Sequence, residues 1–267
     1  MIILTDYHMH TPLCRHATGP MEAYVERALE LGLEEIGFSD HNPLPNGLSG
    51  RVRMSEDQLD YYVQSVRELQ FRYHGKINVL LGLELDYIEG LESYLREQVS
   101  LYPWDYVIGS IHHLDPACDT LSWSHEHRDD MHALYARYFR LMRQLAASGL
   151  CDIIAHFDVP KRSGVPVSAA EADLVSGTLD AMASAGVCME VNTSGYRHRE
   201  LAEPEPYPSF DIVRQAMRRG IALTVNSDAH APEHVGTRFA EVGDWLKRNG
   251  CRELARFQGR RREMCRL

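Results

Sequence analysis

The sequence predicts an α/β fold in which seven strand–helix units close into a barrel. Three observations predict it. Seven short apolar or β-branched runs recur along the 267 residues, amphipathic helical patterns separate them, and no run is followed by a glycine-rich phosphate loop of the G-x-G-x-x-G or G-x-x-x-x-G-K-[ST] type. The first two indicate a parallel sheet with outer helices. The third disfavours a doubly wound nucleotide-binding sheet.

The runs are IILTD at 2–6, EIGFSD at 35–40, INVLLGLELD at 77–86, YVIGSIH at 106–112, DIIAHFD at 152–158, VCMEVN at 187–192 and ALTVNSD at 222–228. Several are apolar throughout rather than alternating, as parallel strands covered on both faces must be. The helices between them have readable ends. Pro20 suits the first turn of a helix that Gly32 stops. Ser55 and Gln58 form a capping-box pattern ahead of Leu59, Tyr62, Val63, Val66 and Leu69, and Ser168 and Glu171 open another helix in the same way. Residues 129–147 carry Leu134, Tyr138, Leu141 and Leu145 at helical spacing, Pro208-Ser209 begins a helix that Gly220 ends, and a last helix covers 237–249. No linker divides the chain, so a single domain over 1–267 is expected, with a tail at about 251–267.

Composition excludes several classes. With 44% hydrophobic and 25% charged residues the chain is neither disordered nor fibrous. Lys plus Arg is 28 and Asp plus Glu is 38, so the net charge of −10 argues against a nucleic-acid partner. The six cysteines include no C-x-x-C pair and read as reduced thiols. MIILTDYHMHT has no secretory pattern, and no stretch is long and apolar enough for a membrane span. A cytoplasmic protein without a membrane partner is expected. Three irregular segments follow strand ends, at 42–54, 113–128 and 195–207, and are candidate specificity or lid loops. The basic tail, with Arg260, Arg261 and Arg262 in a row, reads as a solvated helix or terminal strand end rather than an interaction arm.

Fourteen histidines stand out. His8 and His10 end the first strand, and a period of two points both to one side. His41 ends the second strand, Glu84 the third, His112 the fourth and His156 the fifth; Asp228 and His230 end the seventh, and His16 lies in the first loop. All of them converge on one mouth of the predicted barrel. Imidazole and carboxylate suit zinc, iron or manganese. Seven histidines and two carboxylates exceed the needs of one tetrahedral ion and suit two or three ions with positions left for water and substrate.

The segments DYHMHT, SDHN, GLELDY, GSIHH, AHFDVPKR, EVNTSGYR and NSDAHAPEHVG resemble those of the polymerase-and-histidinol-phosphatase (PHP) superfamily, in its order, from about residue 6 to residue 236. EVNTSGYR and the YPS tripeptide at 207–209 resemble its histidinol-phosphate phosphatase branch more narrowly. The resemblance implies a distorted (β/α)7 TIM-like barrel with three divalent ions, manganese, iron or zinc. It places His8, His10, Glu84 and Asp228 on the first ion, Glu84, His112 and His156 on the second, and His16, His41 and His230 on the third. It implies hydrolysis of L-histidinol phosphate, a step of histidine biosynthesis, with a metal-bridging hydroxide attacking phosphorus.

Further roles follow as expectations. Three ions bring +6, of which Glu84, Asp228 and one hydroxide offset about three charges, so the mouth is locally positive and favours a phosphate monoester. Arg197 is the leading phosphate contact, followed by Arg162 and Lys161, with Arg15 behind them. Asp40 and His198 are candidates for the general acid, a role a bound water could also fill, or for supporting the ligands, and Glu190 either faces a substrate amine or supports a ligand. His113, His125, His127 and His234 are read as non-ligands, His74 and His132 as structural or solvated, and Trp123 as a cover for substrate or as loop packing. A phosphoesterase acting on another small phosphoester or a nucleotide is the nearest alternative. An amidohydrolase would lack its carboxylated lysine here, a nuclease would lack its basic stripe, and an intact ligand set argues against a scaffold protein.

Overall fold

The structure is a computed structural model that describes residues 3–115, 130–198 and 204–267. Seven parallel strands follow one another in the order β1-β2-β3-β4-β5-β6-β7 and form a nearly closed, distorted (β/α)7 barrel. They are β1 (Thr5–Asp6), β2 (Glu35–Phe38), β3 (Asn78–Asp86), β4 (Tyr106–Ser110), β5 (Ile153–Ile154), β6 (Cys188–Asn192) and β7 (Leu223–Asn226). Each lies within one of the seven predicted runs; β2, β4, β5 and β7 stop short of the polar end, whereas β1, β3 and β6 reach it. The ligand-type residues sit largely beyond the last strand hydrogen bond, because their side chains and the loops they open leave the ladder there.

The chain falls into two compact units. The first comprises Met1–Glu84, Pro103–Ile108 and Val225–Leu267. It contains α1 (Met21–Leu31), α2 (Leu59–Arg72) and α7 (Phe239–Arg248). Pro20 is the N-cap of α1 rather than a member of its first turn, and Gly32 ends the helix at φ 72°, a left-handed backbone that glycine adopts without a Cβ penalty. The Ser55–Gln58 capping box is present, on a 3-10 turn that leads into α2.

The interior of this unit is organised by tyrosines. The Tyr106 hydroxyl donates to the carbonyls of Tyr7 at 2.6 Å and Phe38 at 3.2 Å. Its side chain lies so close to Gly37 and Gly82 that a Cβ would stand 2.1 Å from the hydroxyl at Gly37 and 2.2 Å from the ring at Gly82. The Tyr62 hydroxyl donates to the Gly82 carbonyl at 2.8 Å and accepts from the Asp40 amide at 3.3 Å. These buried groups tie β1, β2 and β3 together just below the residues that carry the site.

The basic tail is a solvated terminal strand rather than a helix. β8 (Glu253–Gln258) and β9 (Arg261–Arg266) form an antiparallel hairpin around Gly259 and Arg260, both at positive φ. The buried residues of β8 are Leu254, Ala255 and Phe257, while β9 is largely exposed. Alternation in the tail was masked by its arginines, whose charge hides a strand with one wet face.

The second unit comprises Leu85–Tyr102 and Gly109–Thr224. It holds α3 (Glu92–Leu101), α4 (Met131–Ala147), α5 (Ala172–Ala185) and α6 (Phe210–Arg218). α3 is a helix the sequence reading passed over, since it buries only Leu95 and Gln98 and has a weak apolar stripe. α4 buries Leu134, Tyr138, Leu141 and Leu145, the stripe read from spacing. The Ser168–Glu171 capping box precedes α5, and β5 pairs with β6 through Ile153↔Cys188 and Ile154↔Met189.

Candidate metal centre

In the first unit the residues after β1, β2 and β7 and near the end of β3 form one cluster. Met9 pairs with Ala229 in a parallel bridge, so the chain stays extended beyond β1 and its neighbours His8 and His10 face the same side, with ring centroids 5.2 Å apart. His41 and Glu84 are themselves bridge partners. Glu84 Oε2 receives three imidazole nitrogens: His41 Nδ1 at 2.7 Å, His8 Nε2 at 3.5 Å and His10 Nε2 at 3.6 Å. Asp228 takes φ 52°, which turns the chain sharply after β7 and brings in both its own carboxylate and His230. Its Oδ1 lies 3.3 Å from His10 Nε2 and 3.9 Å from His8 Nε2. His16 Nε2 and His230 Nε2 approach to 2.9 Å.

The ligand atoms of His8, His10 and Glu84, and separately those of His16, His41 and His230, lie within 4.8 Å of one another. Imidazole lone pairs held this close repel unless a cation lies among them. His8, His10 and Glu84 are fully buried, which raises the cost of leaving such groups uncompensated. Nitrogen and carboxylate donors at this spacing fit divalent transition metals.

The electrostatics agree. Burial alone would raise Asp228, yet the rings of His8, His10 and His230 outweigh it and hold the carboxyl well below the ordinary range. Burial and the neighbouring His10 push His230 well below its usual value, so it presents a neutral ring with a lone pair.

Two carboxylates fix this arrangement from behind. Asp40, a candidate acid in the sequence, is fully buried and has both oxygens committed. Oδ1 accepts from the His41 amide at 2.9 Å and stands 3.3 Å from His10 Nδ1; Oδ2 accepts from the Thr11 amide at 3.1 Å and from the Thr11 hydroxyl. These contacts place Asp40 behind His10, where it can orient the ring. Asp6 went unnoticed in the sequence. It accepts from the amides of Ser227 at 2.9 Å, Gly236 at 3.2 Å and His8 at 3.5 Å, and burial raises its carboxyl to about 6. Its position two residues before His8, on the same strand face, was the signal available.

In the second unit, His112 and His156 bring their rings to 5.1 Å. Asp86, also missed, accepts from the His112 amide at 3.0 Å and lies 3.4 Å from its Nδ1 and 3.6 Å from His113 Nε2. Glu190 is fully buried and its Oε2 accepts from the His156 amide and the Asn192 side chain, both at 2.9 Å, so it supports His156 from below. Lys161, expected on phosphate, is a correction. Its ammonium meets Asp158 at 3.0 Å, Glu205 at 2.9 Å and the Pro206 carbonyl at 2.8 Å, which uses all three of its donors. Arg162 and Arg197 are half-buried, and His198, also half-buried, caps the 3-10 turn Thr193–Arg197. His234 Nδ1 accepts from the His230 amide at 3.3 Å, and His132 pairs with Glu171 at 3.0 Å. Trp123, His125 and His127, with most of the 113–128 loop, lie outside the described residues.

Comparison with known proteins adds the family. The PHP domain model matches residues 6–194. The chain belongs to the PHP family. Among PHP relatives, a Deinococcus radiodurans protein named probable histidinol-phosphatase is 40% identical over 245 residues, covering 90% of this chain and 91% of that one. The Bacillus subtilis histidinol-phosphatase is 29% identical, with 88% and 96% covered. The PHP fold is shared with histidinol phosphate phosphatase of Lactococcus lactis, solved with zinc, L-histidinol and phosphate: TM-score 0.82, 22% identity, 97% and 98% of the chains covered.

Proposed function

We propose that this PHP chain is a metal-dependent phosphomonoesterase that hydrolyses L-histidinol phosphate to L-histidinol and phosphate. The observation that carries the reading is the approach of His8, His10 and His41 to within 3.6 Å of Glu84 Oε2 in a chain 40% identical to a probable histidinol-phosphatase. The substrate is a small phosphate monoester. Among the described residues no helix is long and apolar enough to cross a membrane.

His8, His10, Glu84 and Asp228 would hold one ion and His16, His41 and His230 another; His112 and His156, in the second unit, are the remaining proposed ligands. Divalent ions held there would supply Lewis acidity, lowering the pKa of water and offsetting charge on the phosphoryl oxygens. The protein's own part is positioning. Asp40 locks the His10 ring, Asp6 ties the Asp228 turn to β1, and Asp86 and Glu190 hold His112 and His156. Arg197 and Arg162 would bind phosphate oxygens, where a guanidinium fork matches two of them at once. A single domain and a cytoplasmic location remain part of the proposal.

Phosphate release from histidinol phosphate, a generic aryl phosphate, a nucleotide and single-stranded DNA, with and without chelator, tests it. Selective, chelator-sensitive turnover of the first is expected. Nuclease activity alone overturns the reading.

A further inference from the structure

Beyond the proposed ion positions, the cluster contains a sulfur. We infer that His10, Cys14 and His230 form an alternative, competing site for a soft divalent cation, and that filling it inhibits the enzyme by drawing two imidazoles out of the phosphoesterase cluster.

The ligand atoms of these three residues lie within 4.8 Å of one another. On a tetrahedral ion with metal–nitrogen and metal–sulfur bonds of about 2.1 and 2.3 Å, donors stand roughly 3.6 Å apart, so a closing on the order of 1 Å completes the site. The rings of His10 and His230 are already stacked, with centroids 4.0 Å apart. His10 is fully buried, with Nδ1 3.3 Å from Asp40 Oδ1 and Nε2 3.3 Å from Asp228 Oδ1. With Asp40 holding a proton on Nδ1, Nε2 can offer its lone pair to a cation.

Cys14 is placed by local structure rather than by accident. Thr11 caps the 3-10 turn Pro12–Cys14, its hydroxyl accepting from the Leu13 amide at 3.2 Å, and Arg15 at φ 68° ends it. The sulfur is buried and accepts from the Ala17 amide at 3.3 Å, a contact that stabilises a thiolate. Among the described residues, Cys14 is the cysteine that joins such a cluster.

Softness sets the selectivity. Manganese favours the oxygen and nitrogen donors of Glu84, Asp228 and the imidazoles, whereas cadmium gains from a thiolate. Binding releases the thiol proton to water and forms one sulfur–metal bond. His10 and His230 cannot serve this ion and the phosphoesterase ions together.

The test is titration of the purified protein with cadmium alone, read as the ultraviolet sulfur-to-cadmium charge-transfer band. The wild type gains the band and Cys14→Ser does not. In a second arm, cadmium inhibition of the manganese-loaded enzyme weakens by at least about tenfold in Cys14→Ser. Cadmium-113 NMR of the wild type reads the donor set directly, whether or not the variant folds. A resonance in the nitrogen–oxygen range, or an equal charge-transfer band in both proteins, overturns the proposal. The spectroscopic arms need no substrate, so their result is independent of the phosphatase reading.

Discussion

Asp40→Asn separates holding a ligand from donating a proton. The carboxylate serves the His41 and Thr11 amides, the Thr11 hydroxyl and His10 Nδ1, all in a fully buried position. An amide of the same shape keeps one oxygen. Whichever way it turns, its NH2 group faces a backbone N–H, from His41 or from Thr11. At least one buried donor is then unsatisfied, at about 1–3 kcal/mol. Once His10 loses its orienting carboxylate, metal affinity falls by about 10–100-fold, the usual cost of removing such a support. Metal affinity by chelator competition, and kcat/KM at limiting and at saturating metal, measure this. The variant loses affinity, and excess metal restores most of its activity. Affinity within twofold of wild type, together with a kcat that metal does not rescue, would refute the positioning role and return Asp40 to proton transfer.

The remaining predictions concern the same framework. Glu84→Gln removes the charge that three imidazole nitrogens approach, and is expected to lose metal and about 10²–10³-fold in kcat, read by elemental analysis and phosphate release. Arg197→Ala lowers kcat/KM by about 10–100-fold, the equivalent of one charge-assisted hydrogen bond, while metal content stays put; unchanged kinetics would remove Arg197 from the site. Gly82→Ala drives a methyl to 2.2 Å from the Tyr106 ring and destabilises the barrel by about 1–3 kcal/mol or more, read as a lowered melting midpoint.

Much of the fold was legible because burial on both faces of a parallel strand leaves a continuous apolar run, and β3 is buried at every position after Asn78. The β8–β9 hairpin and α3 were not, since each has too thin an apolar face to leave a pattern. Among the proposed site residues, His8 and His10 were legible as a pair through strand periodicity, which the extended chain around Met9 preserves. Lys161 was misread for the opposite reason. A lysine after a strand end looks like a phosphate contact, but its partners Glu205 and Pro206 lie more than forty residues away.

Residue types and their order alone determined that imidazoles and carboxylates recur at strand ends, because the chemistry of a donor belongs to the side chain and needs no neighbour to define it. The three-dimensional fold decided which carboxylates face the imidazole cluster and which stand behind it. Asp40 and Asp228 look alike as letters, yet one is spent on the His41 and Thr11 amides and the other opens from a left-handed turn toward His8 and His10. That difference is set by where distant backbone amides point, and only the packed chain fixes their direction.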